Sequence, residues 1–177
     1  NVMDRFRALA PPIADMVQEM PYAQIYPAED EEYRPMAVAR TMWADSFNGA
    51  TADTILQYLE SSDAPMRVAQ LRVLGGAMAR VPNDATAFAH RDRKMMINVA
   101  SFYEGPDDRP RREDWVAEFA KTLSDGDLSG YVGFLADEGE DRVRAAYPGP
   151  TWDRLRRVKA TYDPQNLFRL NQNIPPS

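Results

Sequence analysis

Few side chains in this sequence can do chemistry near neutral pH, and their types narrow the options before any fold is considered. There is one histidine, His90, followed by Arg91, and there is no cysteine. One imidazole excludes a multi-histidine metal site within the chain, and the missing thiols exclude a disulfide, a thiolate metal site and a cysteine nucleophile. No nucleophile-elbow sequence accompanies the histidine, so a serine-histidine-aspartate set has no support and His90-Arg91 reads as a structural pair that hydrogen-bonds a loop. Gly75-Gly76 lacks the spacing and the following lysine of a phosphate loop. Asp125, Asp127, Ser129 and Gly130 fit the first half of a calcium loop, but the position that must supply two oxygens is Ala136, so a plain turn and no metal are expected. The acidic run Glu29-Asp30-Glu31-Glu32 reads as a solvated loop rather than a catalytic carboxylate pair. Tyr131 remains. Flanked by Gly130 and Gly133, its phenol stands near open backbone that a ligand can approach, with an ordinary core tyrosine as the alternative.

The elements that would position these residues follow from hydrophobic periodicity. Met3, Phe6, Leu9 and Ala10 have helical spacing that Pro11-Pro12 terminates. From Tyr33 to Phe47 the residues Met36, Val38, Arg40 and Met42 alternate with Ala37, Ala39, Thr41 and Trp43, as in a strand. Thr51 sits where an N-cap belongs, ahead of a helix carrying Ile55, Leu56, Tyr58 and Leu59 and ending near 61–63. Residues 66–74 and 88–102 are strand-like, and Trp115, Phe119 and Leu123 mark a second helix that Gly126 ends. The short apolar run Tyr131-Val132-Gly133-Phe134-Leu135 reads as a last strand. The order is a split β-α-β-β-α-β, an α+β fold with an antiparallel sheet and helices on one face. Helices over 140–147 and from a cap at Thr151 to Asp163-Pro164 follow, then an extended amide-rich tail.

Composition limits the partners. Asp and Glu total 27 against 21 Lys and Arg, for a net charge of −6, and the arginines are scattered, so nucleic acid is not expected. No apolar run approaches the roughly 20 residues of a membrane span, so no membrane is expected either. The lack of cysteine leaves the redox compartment undetermined, with the cytoplasm as default. Asn1-Val2-Met3-Asp4-Arg5-Phe6 starts within an amphipathic helix, which reads as a chain beginning partway through something larger or as a trimmed terminus.

The segment RLRRVKATYDPQNLFRLNQNIPP from Arg154 resembles the C-terminal signature of berberine-bridge-type enzymes in the vanillyl-alcohol-oxidase superfamily. Three further segments agree in order and rough spacing: VLGGAMARVPNDATAFAHRDRKMMINVA at 73–100, YVGF at 131–134 and RVRAAYPG at 142–149. The match spans most of the chain from about Leu71, and more loosely PYAQIY near Tyr22. The resemblance implies a parent with FAD held in a separate flavin-binding domain, and divides this chain into a partial substrate-binding domain over 1–136 and a segment over 137–177 that returns to the flavin domain.

The resemblance also assigns roles. Tyr131 falls on an active-site tyrosine that lies against the flavin and helps take a proton from a substrate hydroxyl as hydride leaves. A phenol, with an ordinary pKa of about 10, serves as a base near neutrality only beside a positive or hydrogen-bonding neighbour. Asn98 falls where the family has a substrate-facing Gln or Glu; it can orient a substrate but is no general base. Met96, two residues earlier on the same face, would line the pocket. Gly133 replaces a common Asn near the flavin, and Asn171 and Gln172 match amides near the flavin ring, amides that would lack a partner without the flavin domain. The implied activity is oxidation of an alcohol or hemiacetal carbon of a sugar, glycoside or natural product, with FAD in the parent and neither FAD retention nor catalysis expected of this chain alone. The partners would be a small-molecule substrate and the flavin-binding domain, or a second copy covering the sheet face. A stand-alone ferredoxin-like module that binds a small molecule or a partner without catalysis is the alternative.

Overall fold

The computed structural model describes residues 2–11, 13–25, 34–124, 126–127 and 129–177. The acidic run at 29–32 and Asp125 of the calcium-like loop lie outside the described residues. The chain forms two compact units, Asn1–Arg34 and Pro35–Ser177. In the first, α1 (Val2–Arg7) and a 3-10 turn (Tyr22–Ile25) bury no residue. The helix stops before the two prolines expected to end it, and Arg7 pairs with Asp15 at 2.6 Å.

The second unit is α+β, built on three strands, β1 (Met36–Ala44), β2 (Arg67–Val73) and β3 (Met95–Tyr103), in the order β1-β3-β2 with both pairings antiparallel. α2 (Gly49–Ser61) joins β1 to β2, and α3 (Arg109–Leu123) follows β3. Alternation gives the sheet two chemically different faces. On one, Val38 and Met42 of β1 meet Ile97 and Val99 of β3 together with Ile55 of α2 and Val116 and Phe119 of α3, forming the core. Phe119, fully buried, stacks on Tyr58 with centroids 4.5 Å apart. Arg67 ties β2 to the end of α2 through the Leu59 and Ala64 carbonyls.

Two helix starts differ from expectation. Asn48 caps α2, its Oδ1 accepting from the Thr51 backbone N–H at 2.9 Å, so Thr51 lies inside the helix as a donor rather than at its cap. An N-cap oxygen reaches an N–H two or three residues on, and Asn48 is at that distance. Likewise α5 (Pro150–Tyr162) is preceded by Gly149 at φ 60°, with Pro150 opening the first turn, and Thr151 is buried within it.

The expected fourth strand is not one. Tyr131-Val132-Gly133-Phe134-Leu135 closes on itself as a 3-10 turn (Val132–Phe134), with Phe134 N–H donating to Tyr131 O at 2.8 Å and Leu135 N–H to Val132 O at 3.2 Å. These i→i+3 bonds use donors that a strand would offer to a neighbour. The turn nonetheless lies against β1, where a fourth strand of the split arrangement would pair. Arg142 of α4 (Glu140–Ala145) ties the chain after the turn to β1, donating to the Thr41 carbonyl at 3.0 Å and to Glu138 at 3.0 Å. Glu138, nearly buried, also binds Arg40 of β1. No described helix is long and apolar enough to cross a membrane.

Candidate functional site

The sheet face turned away from α2 and α3 carries Ala39, Thr41 and Trp43 of β1, Met96, Asn98 and Ala100 of β3, and Val68, Gln70 and Arg72 of β2. The register sets them in rows: Trp43, Met96 and Arg72 form one, and Thr41, Asn98 and Gln70 the next. A free sheet face would be solvated, yet Thr41, Trp43, Met96 and Ala100 are all buried. Two chain segments cover them: the loop at Phe88–His90 and the turn from Gly130 to Leu135.

Aromatic side chains join these segments into an arch over the Met96 row. Phe88 stands edge-on to Trp43, centroids 6.2 Å apart; Tyr131 is edge-on to Phe88 at 5.9 Å; Phe134 lies 5.7 Å from Tyr131. The Arg72 guanidinium closes the arch over the Phe134 ring at 4.5 Å. Met96 lies on the row that the arch begins and ends on, and is 5% exposed. Gly130 permits the close approach, since a Cβ there would lie 3.0 Å from the Thr41 methyl.

Tyr131 is 38% exposed, and its hydroxyl makes no hydrogen bond among the described residues. Its ring folds back over Gly133, whose missing Cβ would lie 2.8 Å from Tyr131 Cε1. Burial raises the Tyr147 phenol above its ordinary range, and the charge that Tyr131 would carry as a phenolate adds to the shift. Asn98 shares the Met96 face as its spacing implies; its Oδ1 is buried without a partner. The Trp43 indole Nε1–H, also buried, has none either.

Asn171 and Gln172 lie elsewhere, in a groove of about 820 Å³ formed with Glu138, Arg144, Trp152 and Arg156; Tyr131 is not among the residues that line it. The expectation that the tail amides lack a partner is corrected for Gln172, whose Nε2 donates to the Leu135 carbonyl at 2.6 Å. That carbonyl ends the Tyr131 turn, so the tail reaches the site through it. Asn171 has a left-handed backbone, φ 59°, which asparagine tolerates. Upstream, Asp163 organises the tail by accepting from the Leu167 and Phe168 N–H groups at 2.8 and 3.1 Å while pairing with Lys159. The Lys159 contact leads in holding that carboxyl below its ordinary range, burial opposing it.

His90 is structural in this arrangement. It is buried 4.9 Å from Trp43, and its Nε2 meets the Ala146 carbonyl at 3.0 Å, so that nitrogen carries the proton. Burial lowers its pKa, the Ala146 contact opposing the shift, and it stays neutral. Arg91 ties the 78–91 loop together through Met78 O and Thr86 Oγ1. Among the described residues no group of three or more His, Cys, Asp or Glu could hold a metal ion.

The structure thus brings Met96, Asn98, Tyr131 and Gly133 to one face and sets Asn171 and Gln172 behind the turn. Trp43, Phe88, Phe134 and Arg72 were missed from sequence. Trp43 lay in the alternating series of β1, but only the pairing of β1 with β3 shows that it is opposite Met96.

Residues 125–175 match the family model described as berberine and berberine like. The chain is 35% identical over 123 residues to the FAD-linked oxidoreductase YgaK of Bacillus subtilis, covering 70% of this chain and 27% of that protein. It is 35% identical over 109 residues to the xylooligosaccharide oxidase of Thermothelomyces thermophilus, covering 57% and 22%. Among solved structures it resembles berberine bridge enzyme from Eschscholzia californica, with TM-score 0.66 and 23% identity over 83% of this chain and 34% of that one. The chain spans about a quarter of the length of these sequence relatives.

Proposed function

We propose, from its similarity to berberine-bridge-enzyme-like, FAD-linked oxidoreductases, that the unit Pro35–Ser177 forms the substrate side of an enzyme oxidising an alcohol or hemiacetal carbon, with a sugar or oligosaccharide as substrate. The observation that carries this reading is the partly exposed, unpartnered Tyr131 phenol on the sheet face that bears Met96 and Asn98. The sugar assignment follows the relative named a xylooligosaccharide oxidase.

The residues fit a flavin in part. Tyr131 offers a partly exposed ring and a free hydroxyl, whereas that ring covers Gly133 and the side-chain amide nitrogen of Gln172 already serves Leu135. FAD, when bound, supplies the acceptor for the hydride that leaves the substrate carbon. In this reading Tyr131 takes the proton from the substrate hydroxyl while the C–H bond breaks, so that the carbon gains a second bond to oxygen. Arg72 brings positive charge to the same face, its guanidinium lying over the Phe134 ring beside Tyr131. Asn98 orients the substrate, and the Met96 row and its aromatic cover keep water from the reacting carbon. Catalysis requires the flavin-binding domain, and the chain alone retains no FAD.

The test compares the chain alone with the chain joined to the flavin-binding portion of YgaK. Both are given FAD and then xylotriose without oxygen, and loss of the oxidised-flavin absorbance is followed. The joined protein should bind flavin and bleach, and Tyr131→Phe should slow bleaching by about 10²–10⁴-fold, the usual contribution of a general base. Bleaching at an unchanged rate in Tyr131→Phe would refute the role of Tyr131. Yellow protein recovered from the chain alone would refute the dependence on a second domain.

A further inference from the structure

We propose that Trp43 and Asn98 act together as a donor and acceptor that hold one hydroxyl group of the substrate, making Trp43 a specificity-determining residue. The inference rests on the reading of this face as the substrate side. Trp43 is 5% exposed, and its Nε1–H is buried with no partner; the Asn98 Oδ1 on the neighbouring strand is in the same condition. Buried polar atoms in folded proteins are almost always paired, so two orphans on one face call for a group that is not part of the chain.

Their chemistry specifies that group. An indole nitrogen only donates, and an amide oxygen only accepts. The visitor must therefore accept at one point and donate at another, which a hydroxyl does with a single oxygen. A carbonyl, ether or carboxylate would satisfy Trp43 and leave Asn98 unpaired.

The geometry allows convergence. Trp43 pairs with Met96 and Asn98 with Thr41, so Trp43 and Asn98 are diagonal neighbours across β1 and β3. Diagonal Cα atoms of an antiparallel pair are about 7–8 Å apart, within reach of an indole and an amide on the same face. The pair also lies on the face that Tyr131 closes through Phe88. Substrates lacking a hydroxyl at the point held by this pair would be discriminated against. A resident water has the same hydrogen-bonding chemistry, and the experiment separates the two.

The chain labelled with ¹⁵N gives separate indole N–H signals for its three tryptophans, Trp43, Trp115 and Trp152. It is titrated with xylotriose and, separately, with fully O-methylated xylotriose. Xylotriose should shift the Trp43 indole signal and the Asn98 side-chain amide signals together and leave those of Trp115 and Trp152 in place, and the methylated sugar, whose oxygens accept but cannot donate, should leave the Asn98 signals in place. Trp43→Phe and Asn98→Ala should each weaken xylotriose binding about tenfold, as loss of one buried hydrogen bond does. If xylotriose binds with full affinity to Trp43→Phe and the Trp43 signal of the unaltered chain does not move, the pair is refuted while the sugar-binding reading survives. If xylotriose shifts no signal, both fall. If Trp43→Phe does not fold, movement of the Trp43 signal in the unaltered chain decides alone, and a static signal there assigns the pair to water.

Discussion

Gly133→Asn restores the side chain that the family resemblance leads one to expect beside Tyr131, and the structure says what it would displace. A Cβ at this position would lie 2.8 Å from Tyr131 Cε1, 3.2 Å from Cζ and 3.4 Å from the hydroxyl oxygen. The first contact is too short by about 0.6 Å against ordinary van der Waals separation, and the Asn carboxamide extends further. The ring must turn away, giving up its edge-on contact with Phe88 and its tilted contact with Phe134. Each such contact contributes about 0.5–1.5 kcal/mol. Because Tyr131 is 38% exposed and can swing into solvent, the lower part of the combined range applies, about 1–2 kcal/mol. In a chain of this size that is a melting temperature about 2–8 °C lower. The assay is thermal unfolding by circular dichroism, with nuclear Overhauser contacts between the Tyr131 and Phe88 rings as the local readout. Gly49→Ala, at a glycine with nothing within 4 Å of the added Cβ, should leave both unchanged. A Gly133→Asn protein that keeps its melting temperature and its Tyr131–Phe88 contacts would show that the ring does not rest over Gly133.

Phe119→Ala, which empties the centre of the core at a fully buried position, should cost about 3–5 kcal/mol, read from the urea midpoint at unchanged slope. Asp63 bonds Arg112 and Arg111, and these contacts, Arg112 first, lower its carboxyl from 3.8 to about 2. A depressed folded-state value stabilises above the unfolded pKa and loses that contribution as pH falls toward 2, so Asp63→Asn should flatten the acid limb of a stability-versus-pH curve between about pH 4 and 2 and leave its slope near neutrality unaltered. Gln172→Ala should free the end of the chain without unfolding the sheet, raising the rate of limited proteolysis around Phe168–Leu170 severalfold, consistent with loss of a hydrogen bond of about 1 kcal/mol.

Much of the fold was legible because β1, β3 and the two core helices advertise their periods. Val38 and Met42 alternate with Thr41 and Trp43, and Trp115 and Phe119 recur at helical spacing, so the α+β class and the order of elements followed. The 131–135 segment was not legible in the same way. Five apolar or small residues suit a strand and a turn equally, and the decision lies in the i→i+3 bonds that close within the segment and in Arg142, outside it, which occupies a carbonyl of β1. The cap of α2 was missed by three residues since Asn48 and Thr51 are both good capping residues, and only the bond between them shows which caps which. At the site, Met96 and Asn98 shared a face by parity alone. The neighbours of that face depend on strand register, which pairs Trp43 with Met96 and cannot be read from either strand by itself.

Arg142 binding the Thr41 carbonyl has a bearing on how the sheet meets other chains. With the 3-10 turn along β1 and that carbonyl already engaged, this flank presents no clean row of backbone groups to an incoming strand. β2 is different: among the described residues it pairs with β3 alone, and it leaves Leu71 and Val73 at the surface. Growth of the sheet by strand addition therefore has one open direction. Arg67 and Arg72 stand on that flank, like charges that oppose edge-to-edge pairing with an identical copy. Arg67 also holds the end of α2, and Arg72 lies over Phe134.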